Sequence, residues 1–436
     1  MTITDAAIVE RVRALGGAAG YVVAYSGGPD SHVLLHALAR RREALGAPLR
    51  AVHVNHRLHP DAAAWAEHCR VQCRALDVPL HVAQAPEAPP AGAGETWARE
   101  VRYGLFADAL GDDELLVTAH HRDDQAETVL LRLLRGSGAD GLGGIPAVRR
   151  LGAGRVGRPL LDCSREALQA YAAEHRLPVL HDPGNDDTRA DRNFLRQRVL
   201  PVLRERWPAA WKSMAASGAL LREEQELVDR YADALLTDAQ SPQGALRCAA
   251  LRPMPPPARR RVLRRWLQRR GLPLPGGARL EAGAHMLLEA GADRAPAMVW
   301  PGGRVRRYRD WLYADTGSGG SAAHGDALVW DLTGDVHLGH GWLRVVQDSR
   351  GLDPAAVSEG VRVRYRRYGE RCRPLGRPRR SLKKLFQEAG VPPWQRDHWP
   401  LLCRGDDVVA VPGICVCEGY AAPAGPEALR VLWEPD

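Results

Sequence analysis

Lysine is nearly absent from this chain: of 60 basic side chains only Lys212, Lys383 and Lys384 are lysines, and none follows a glycine. A Walker A loop, which ends in Gly-Lys-Ser/Thr, is therefore excluded. With it goes the usual lysine point charge on a terminal phosphate, so that arginine, backbone and metal must do that work. The chain also lacks a secretory apolar segment, an apolar run of membrane-spanning length and any internal repeat. The expected location is cytoplasmic, with no membrane partner and reduced cysteines. The eight cysteines stand at 69, 73, 163, 248, 372, 403, 415 and 417. Cys69 and Cys73 are spaced CxxxC in a helical run, and Cys415 and Cys417 CxC in a strand-like run. Neither spacing matches a zinc or iron–sulfur framework, and free thiols are expected.

What is present suits an enzyme with an anionic macromolecular partner. The 436 residues are 45% hydrophobic, enough for two or three domains with ordinary cores. Net charge is +8, carried almost wholly by arginine. That favours a polyanion, although a genomic preference for arginine gives the same composition.

The most informative segment is Ser26 to Ser31, SGGPDS, between the apolar run Tyr21 to Tyr25 and the helical run His32 to Ala39. A strand ending in a glycine turn that opens a helix aims backbone N–H groups and the positive end of the helix dipole at an anion. Gly27 and Gly28 admit close approach of a phosphate, Ser26 and Ser31 offer hydroxyls, and the whole sextet, Pro29 included, is expected to hold the nucleotide. Asp30 is out of place beside phosphate unless a divalent cation bridges the two, so Mg2+ at Asp30 is expected. An ordinary capped turn is the alternative.

Residues 20 to about 120 alternate strand and helix. The expected strands are Tyr21 to Tyr25, Leu49 to Val54, Leu80 to Ala83 and Leu115 to Ala119, with helices at Asp61 to Leu76 and Glu95 to Leu110. This is the pattern of a Rossmann-like, doubly wound parallel sheet, whose ligands gather beyond the carboxyl ends of its strands. The expected fold is α/β: that catalytic domain over 1–206, a mainly helical middle domain over 207–313 with no clear strand before Met298 to Trp300, a Gly/Ser-rich loop or linker over 314–327, and a small mixed α/β domain over 328–436. One amphipathic helix is expected near Ser381 to Ala389.

His120 to Leu142 begins HHRDDQAET directly after a strand, and Ala126, Val129, Leu130, Leu133 and Leu134 mark one helical face. Asp124 and Glu127 fit a capping box. A cap needs only one acid, whereas His120, His121, Asp123, Asp124 and Glu127 crowd one helix entrance, where like charge is costly. A metal or a cationic substrate resolves that conflict.

SGGxDS resembles the pyrophosphate loop of the N-type ATP pyrophosphatases. Together with VHVNHRL at Val52 to Leu58, the HxDDQxETxLxRLxRGSGxxGL pattern from His120, RPLLDCSREAL at Arg158 to Leu168, RNFLRQRVLPVL at Arg192 to Leu203 and the stretch Arg367 to Leu402, it resembles the tRNA(Ile)-lysidine synthase family over nearly the whole chain. One departure stands at Pro178 to Arg189, which carries HDPGN where that family has a variant of EDxTN, leaving Asp182 and Asn185 without a matched role. The resemblance implies ATP, L-lysine and tRNA(Ile) with a CAU anticodon as substrates. Adenylation of cytosine O2 would be followed by displacement of AMP by lysine. It points to Asp30, Asp123, Asp124, Glu127 and Arg192 as catalytic, with metal binding, amine binding and proton transfer undivided among the acids.

The remaining candidates carry two readings each. Arg192 and Arg196 of RNxxR fall on one helical face, as a phosphate or anticodon clamp or as solvated charge. Arg99, Arg102 and Tyr103 are near the site in the family, or salt-bridged at the surface. His53 and His56 flank Asn55 after the second strand, as adenine or substrate contacts or as structural groups, and His120 is placed with the substrate. Val361 to Lys384 holds nine arginines and two lysines against one glutamate, with Tyr365 and Tyr368 interleaved. Arg373, Arg379, Arg380 and Lys383 are its expected tRNA contacts, and the tyrosines its stacking groups. Arg259 to Arg270, with seven arginines and no acid, is read as a second RNA surface, while Trp394 and Trp399 are expected in the core. Two other functions stand as alternatives: a tRNA cytidine thiolase of the same superfamily, and a non-catalytic RNA-binding protein.

Overall fold

A computed structural model describes residues 3–86, 95–180, 183–241, 243–291, 294–317, 328–423 and 428–435. The chain forms two compact units, Met1–Val228 and Asp229–Asp436.

In chain order the first unit contains α1 (Asp5–Ala14), β1 (Tyr21–Ala24), α2 (Pro29–Arg40), β2 (Leu49–Asn55), α3 (Ala62–Ala75), β3 (Leu80–Gln84), α4 (Glu95–Asp108), β4 (Leu115–Val117), α5 (Arg122–Leu134), the single turn α6 (Ala139–Leu142), β5 (Val148–Leu151), β6 (Gly154–Gly157) and α7 (Arg165–Glu174). The sheet order is β3-β2-β1-β4-β6-β5, parallel except for β5, which pairs antiparallel with β6. The first strand explains the layering. Its side chains alternate, so Val23 joins Leu34, Leu35 and Leu38 of α2, Ile8 of α1, Cys69 and Cys73 of α3 and Leu168 of α7 on one face. Val22 joins Val52, Leu116, Val156 and Phe106 of α4 on the other. Both valines are fully buried, as expected of a parallel strand covered on two sides.

The chain runs outward from β1 through β2 to β3 and then returns to the far side of β1 as β4. That reversal is a topological switch point, the place where sheets of this kind bind their ligands. The β5–β6 hairpin lies outside the sequence expectation, because VRRL and GRVG are too short and too basic to show strand alternation.

In the second unit, helices Pro256–Arg269 and Gly277–Glu289 pack with a four-stranded antiparallel sheet of 246–247, 311–315, 303–308 and 297–300 around fully buried Trp266. The stretch read as mainly helical thus also contains a β-meander, whose strand Gly303–Tyr308 is masked in sequence by the outward Arg304, Arg306 and Tyr308 and by a buried arginine, Arg307. The remainder is mixed, with a five-stranded, a three-stranded and a two-stranded antiparallel sheet. The expected amphipathic helix is present as Leu382–Glu388, capped by Ser381, whose hydroxyl accepts from Lys384 N at 3.4 Å. Of the glycine- and serine-rich stretch 314–327, Ala314 and Asp315 end the strand Trp311–Asp315, and 318–327 lie outside the described residues. Among the described residues no helix is long and apolar enough to cross a membrane.

Candidate active site

The SGGPDS turn leaves β1 at buried Tyr25 and enters α2 with Gly28 as N-cap and Pro29 in the first turn, where a missing N–H costs nothing. Its hydroxyls close the loop. Ser31 Oγ accepts from Ser26 N at 3.2 Å, donates to Gly28 O at 3.0 Å and lies 3.0 Å from Ser26 Oγ. Gly27 is required by the protein itself. Its φ is +84°, and a Cβ there would stand 2.6 Å from Leu180 Cδ1, because the 177–180 segment lies over the loop with Leu180 N donating to Gly27 O at 2.9 Å. At Gly28 a Cβ meets nothing closer than 3.5 Å. The protein itself sets no steric requirement for glycine at this position.

The first turns of α2 and α5 meet at His121. This ring is 3% exposed, with Nε2 3.6 Å from both Asp30 Oδ2 and Asp124 Oδ2 and Nδ1 3.7 Å from Asp123 Oδ2. Burial opposes its protonation, but the Asp30, Asp124 and Asp123 carboxylates outweigh burial and raise its pKa above 6.5. His121 is a site residue that the sequence assignment passed over in favour of His120. The available signal was its place as the last residue before α5. His120 Nδ1 lies 2.8 Å from Thr118 Oγ1, and burial pushes this ring down to about 3 against the opposing charge of Asp124.

The capping box at α5 is shifted by three residues from the expected one. His121 is the N-cap, and its N–H donates to Asp124 Oδ2 at 2.9 Å. Asp123 Oδ2 accepts from Arg165 N at 3.0 Å, satisfying the start of α7. Glu127, one turn on and 2% exposed, caps nothing. It receives Arg192 Nε at 2.7 Å and Arg196 Nε at 2.6 Å, while Arg192 Nη2 reaches Asp124 Oδ1 at 2.8 Å. The one-turn spacing of RNxxR therefore brings both guanidiniums onto the same acids. They sit where the helix from Asp191 passes through a π turn at Leu195–Val199: Pro201 has no N–H to continue the ladder, and Leu200 N reaches back to Leu195 O. Asn193 pins the neighbouring loop through Gly184 O and Asp187 O at 2.9 and 3.0 Å. His181, Asp182 and the Asn185 side chain lie outside the described residues.

Four carboxylates thus face two guanidiniums and one imidazolium. The acid left short of a partner is Asp30, whose Oδ1 is buried without any hydrogen bond. A buried orphan carboxylate oxygen is costly and is the donor that a divalent cation takes.

The other assigned residues make hydrogen bonds and ring contacts of their own. His53 is buried, with Nδ1 2.9 Å from Tyr25 O and 3.4 Å from Cys69 Sγ. Asn55 forms an Asx turn, accepting from Arg57 N at 2.9 Å and donating to Ala62 O. Arg102 Nε donates to His56 Nε2 at 3.1 Å, and exposed Arg99 stacks 5.1 Å from the Tyr103 ring centroid.

In the second unit the Arg259 to Arg270 run does not form the free basic surface read from its sequence. Arg260 pairs with Glu281, Arg261 with Asp229, and Arg265 and Arg269 with Asp233. Those acids lie on neighbouring helices, invisible to a count along one segment. In the 361–384 run Arg364 pairs with Glu370, Arg373 with Glu418 and Arg380 with Glu388. Arg379, Lys383 and Lys384 are exposed with no ion-pair partner among the described residues. Tyr368 stands fully in solvent, whereas Tyr365 packs on His340. Trp394 contacts Tyr308 and Tyr313, and Trp399 donates to Pro412 O.

Residues 5–203 match the PP-loop domain family, 246–313 the TilS substrate binding domain and 361–433 the TilS substrate C-terminal domain. The chain is 44% identical to the tRNA(Ile)-lysidine synthase of Alkalilimnicola ehrlichii, over 96% of this chain and 95% of that one. It is 40% identical to that of Methylococcus capsulatus, over 95% and 96%, and 36% identical to that of Coxiella burnetii, over 96% and 94%.

Proposed function

The chain belongs to the tRNA(Ile)-lysidine synthase family, and from that premise we propose that it joins L-lysine to C2 of the wobble cytidine of tRNA(Ile) with a CAU anticodon, consuming ATP and releasing AMP and pyrophosphate. The observation that carries this reading is the buried, unpartnered Asp30 Oδ1 beside a lysine-free anion loop and an acid cluster.

Cytosine O2 is a poor leaving group until it is adenylated. In the first step O2 forms a bond to the α-phosphorus, the bond from that phosphorus to the bridging oxygen breaks, and pyrophosphate leaves. The loop N–H groups and the Ser26 and Ser31 hydroxyls hold the departing phosphates. Asp30 would hold Mg2+, which when bound offsets negative charge on the pyrophosphate. Arg192 and Arg196 keep their bonds to Asp124 and Glu127 and supply positive charge toward the α-phosphate.

In the second step the lysine amine forms the C2–N bond and AMP leaves with the oxygen. The amine is protonated at neutral pH, and freeing it costs roughly 4 to 5 kcal/mol, so a carboxylate must accept its proton. Asp124 and Glu127 are engaged by arginine, whereas Asp123 keeps one oxygen outside its bond to Arg165 N. We assign the amine to Asp123.

Thiolation lacks support in this geometry. Cys69 and Cys73 are buried beneath the loop, and burial pushes both thiols up to about 12, which makes them inert. The test is incorporation of labelled lysine into an unmodified tRNA(Ile) transcript. Label that requires ATP and the CAU anticodon supports the assignment, and label independent of ATP, or none, rejects it.

A further inference from the structure

Cys372 is far in sequence from Cys415 and Cys417, yet the fold brings the three together. Strand side chains alternate, so the CxC pair projects to one face. The segment carrying Cys372 is laid alongside by Leu375 N donating to Val416 O at 3.0 Å and Glu418 N to Arg373 O at 2.8 Å. All three Sγ atoms lie within 4.8 Å of one another, with Cys372 and Cys417 buried and Cys415 half-buried. None is in a disulfide.

Three sulfurs converging from two strands are the donor set of a soft cation. A tetrahedral zinc with Zn–S near 2.3 Å separates its sulfurs by about 3.8 Å, a closure within reach of small side-chain rotations. Arg377 lines the same cavity as Cys415, beside the three sulfurs. The same arginine offsets the single negative charge of a divalent ion bound by three thiolates.

We propose that Cys372, Cys415 and Cys417 bind one zinc-like divalent cation as thiolates, releasing three protons, with the fourth coordination position facing the cavity of about 980 Å³ that Cys415 lines with Arg377 and Glu388. The ion would fix the arginine-rich hairpin between the strands Arg371–Cys372 and Arg380–Ser381 to the strand Cys415–Val416. The eight cysteines are free, as expected; spacing read along the chain does not register this cluster, because its third cysteine comes from a different strand.

The test is titration of the reduced, metal-stripped full chain with Co2+, followed by competition with Zn2+. One equivalent giving thiolate-to-cobalt charge-transfer absorption, lost in Cys415→Ser and kept in Cys403→Ser, supports the site. No such absorption at saturating cobalt, or an equal spectrum from Cys415→Ser, overturns it. Should Cys415→Ser fail to fold, alkylation mapped on the unaltered chain decides. Protection of Cys415 by zinc that a chelator reverses supports the proposal, and equal labelling with and without zinc overturns it.

Discussion

Arg192 grips Glu127 and Asp124 at once, through Nε at 2.7 Å and Nη2 at 2.8 Å. Both acids are nearly buried and the arginine is about one-quarter exposed, so this is a desolvated network and not a surface pair. Removing one partner leaves uncompensated charge. Glu127→Ala should destabilise the first unit by about 3–5 kcal/mol, read by denaturant unfolding, and Glu127→Gln by less. Loss of turnover with unchanged stability would mean that Glu127 acts on substrate and not on the two arginines.

Asp30→Asn keeps the side chain's shape and removes a charge that faces His121 Nε2 at 3.6 Å through Oδ2 and has no hydrogen-bond partner at Oδ1. Pyrophosphate release should fall by about 100-fold or more, with tRNA affinity within a few-fold and stability lowered by less than in Glu127→Ala. A matching loss of stability would make Asp30 a structural acid.

Burial lowers the pKa of His53 against the opposing bond to Tyr25 O, and pushes His56 down to about 4. As pH falls below the ordinary value of 6.5 the unfolded chain takes up these protons while the folded chain resists, so stability falls as acidity rises. The slope from each ring is at most about 1.4 kcal/mol per pH unit. His53→Gln should flatten the unfolding free energy between about pH 5 and 7, and an unchanged slope would contradict the buried neutral ring.

The fold was legible where one side-chain period prevailed. The strands at 21, 49, 80 and 115 and the intervening helices follow the alternation of Val22 and Val23 and the faces built on Leu34 and Cys69. Partners supplied by other segments were not legible. His121 gains its role only when Asp30 arrives from another helix, Arg265 is neutralised by Asp233 across a helix pair, and Cys372 meets Cys415 only through strand pairing.

Exposed Arg379, Lys383 and Lys384 should each contribute about one unit to the log–log salt dependence of tRNA binding, measured by filter binding of alanine variants. Arg265→Ala should leave that slope unchanged and lower stability through Asp233. Tyr368→Ala should weaken binding by about 1–3 kcal/mol if it stacks on a base.

The most direct measurement follows ATP labelled at the α-phosphate, incubated with the protein and tRNA(Ile) in the absence of lysine. Label should become covalently attached to the RNA, with pyrophosphate released, and should then chase into free AMP when lysine is added. Label recovered as ADP, with none on the RNA, would contradict adenylyl transfer from the Ser26–Ser31 loop.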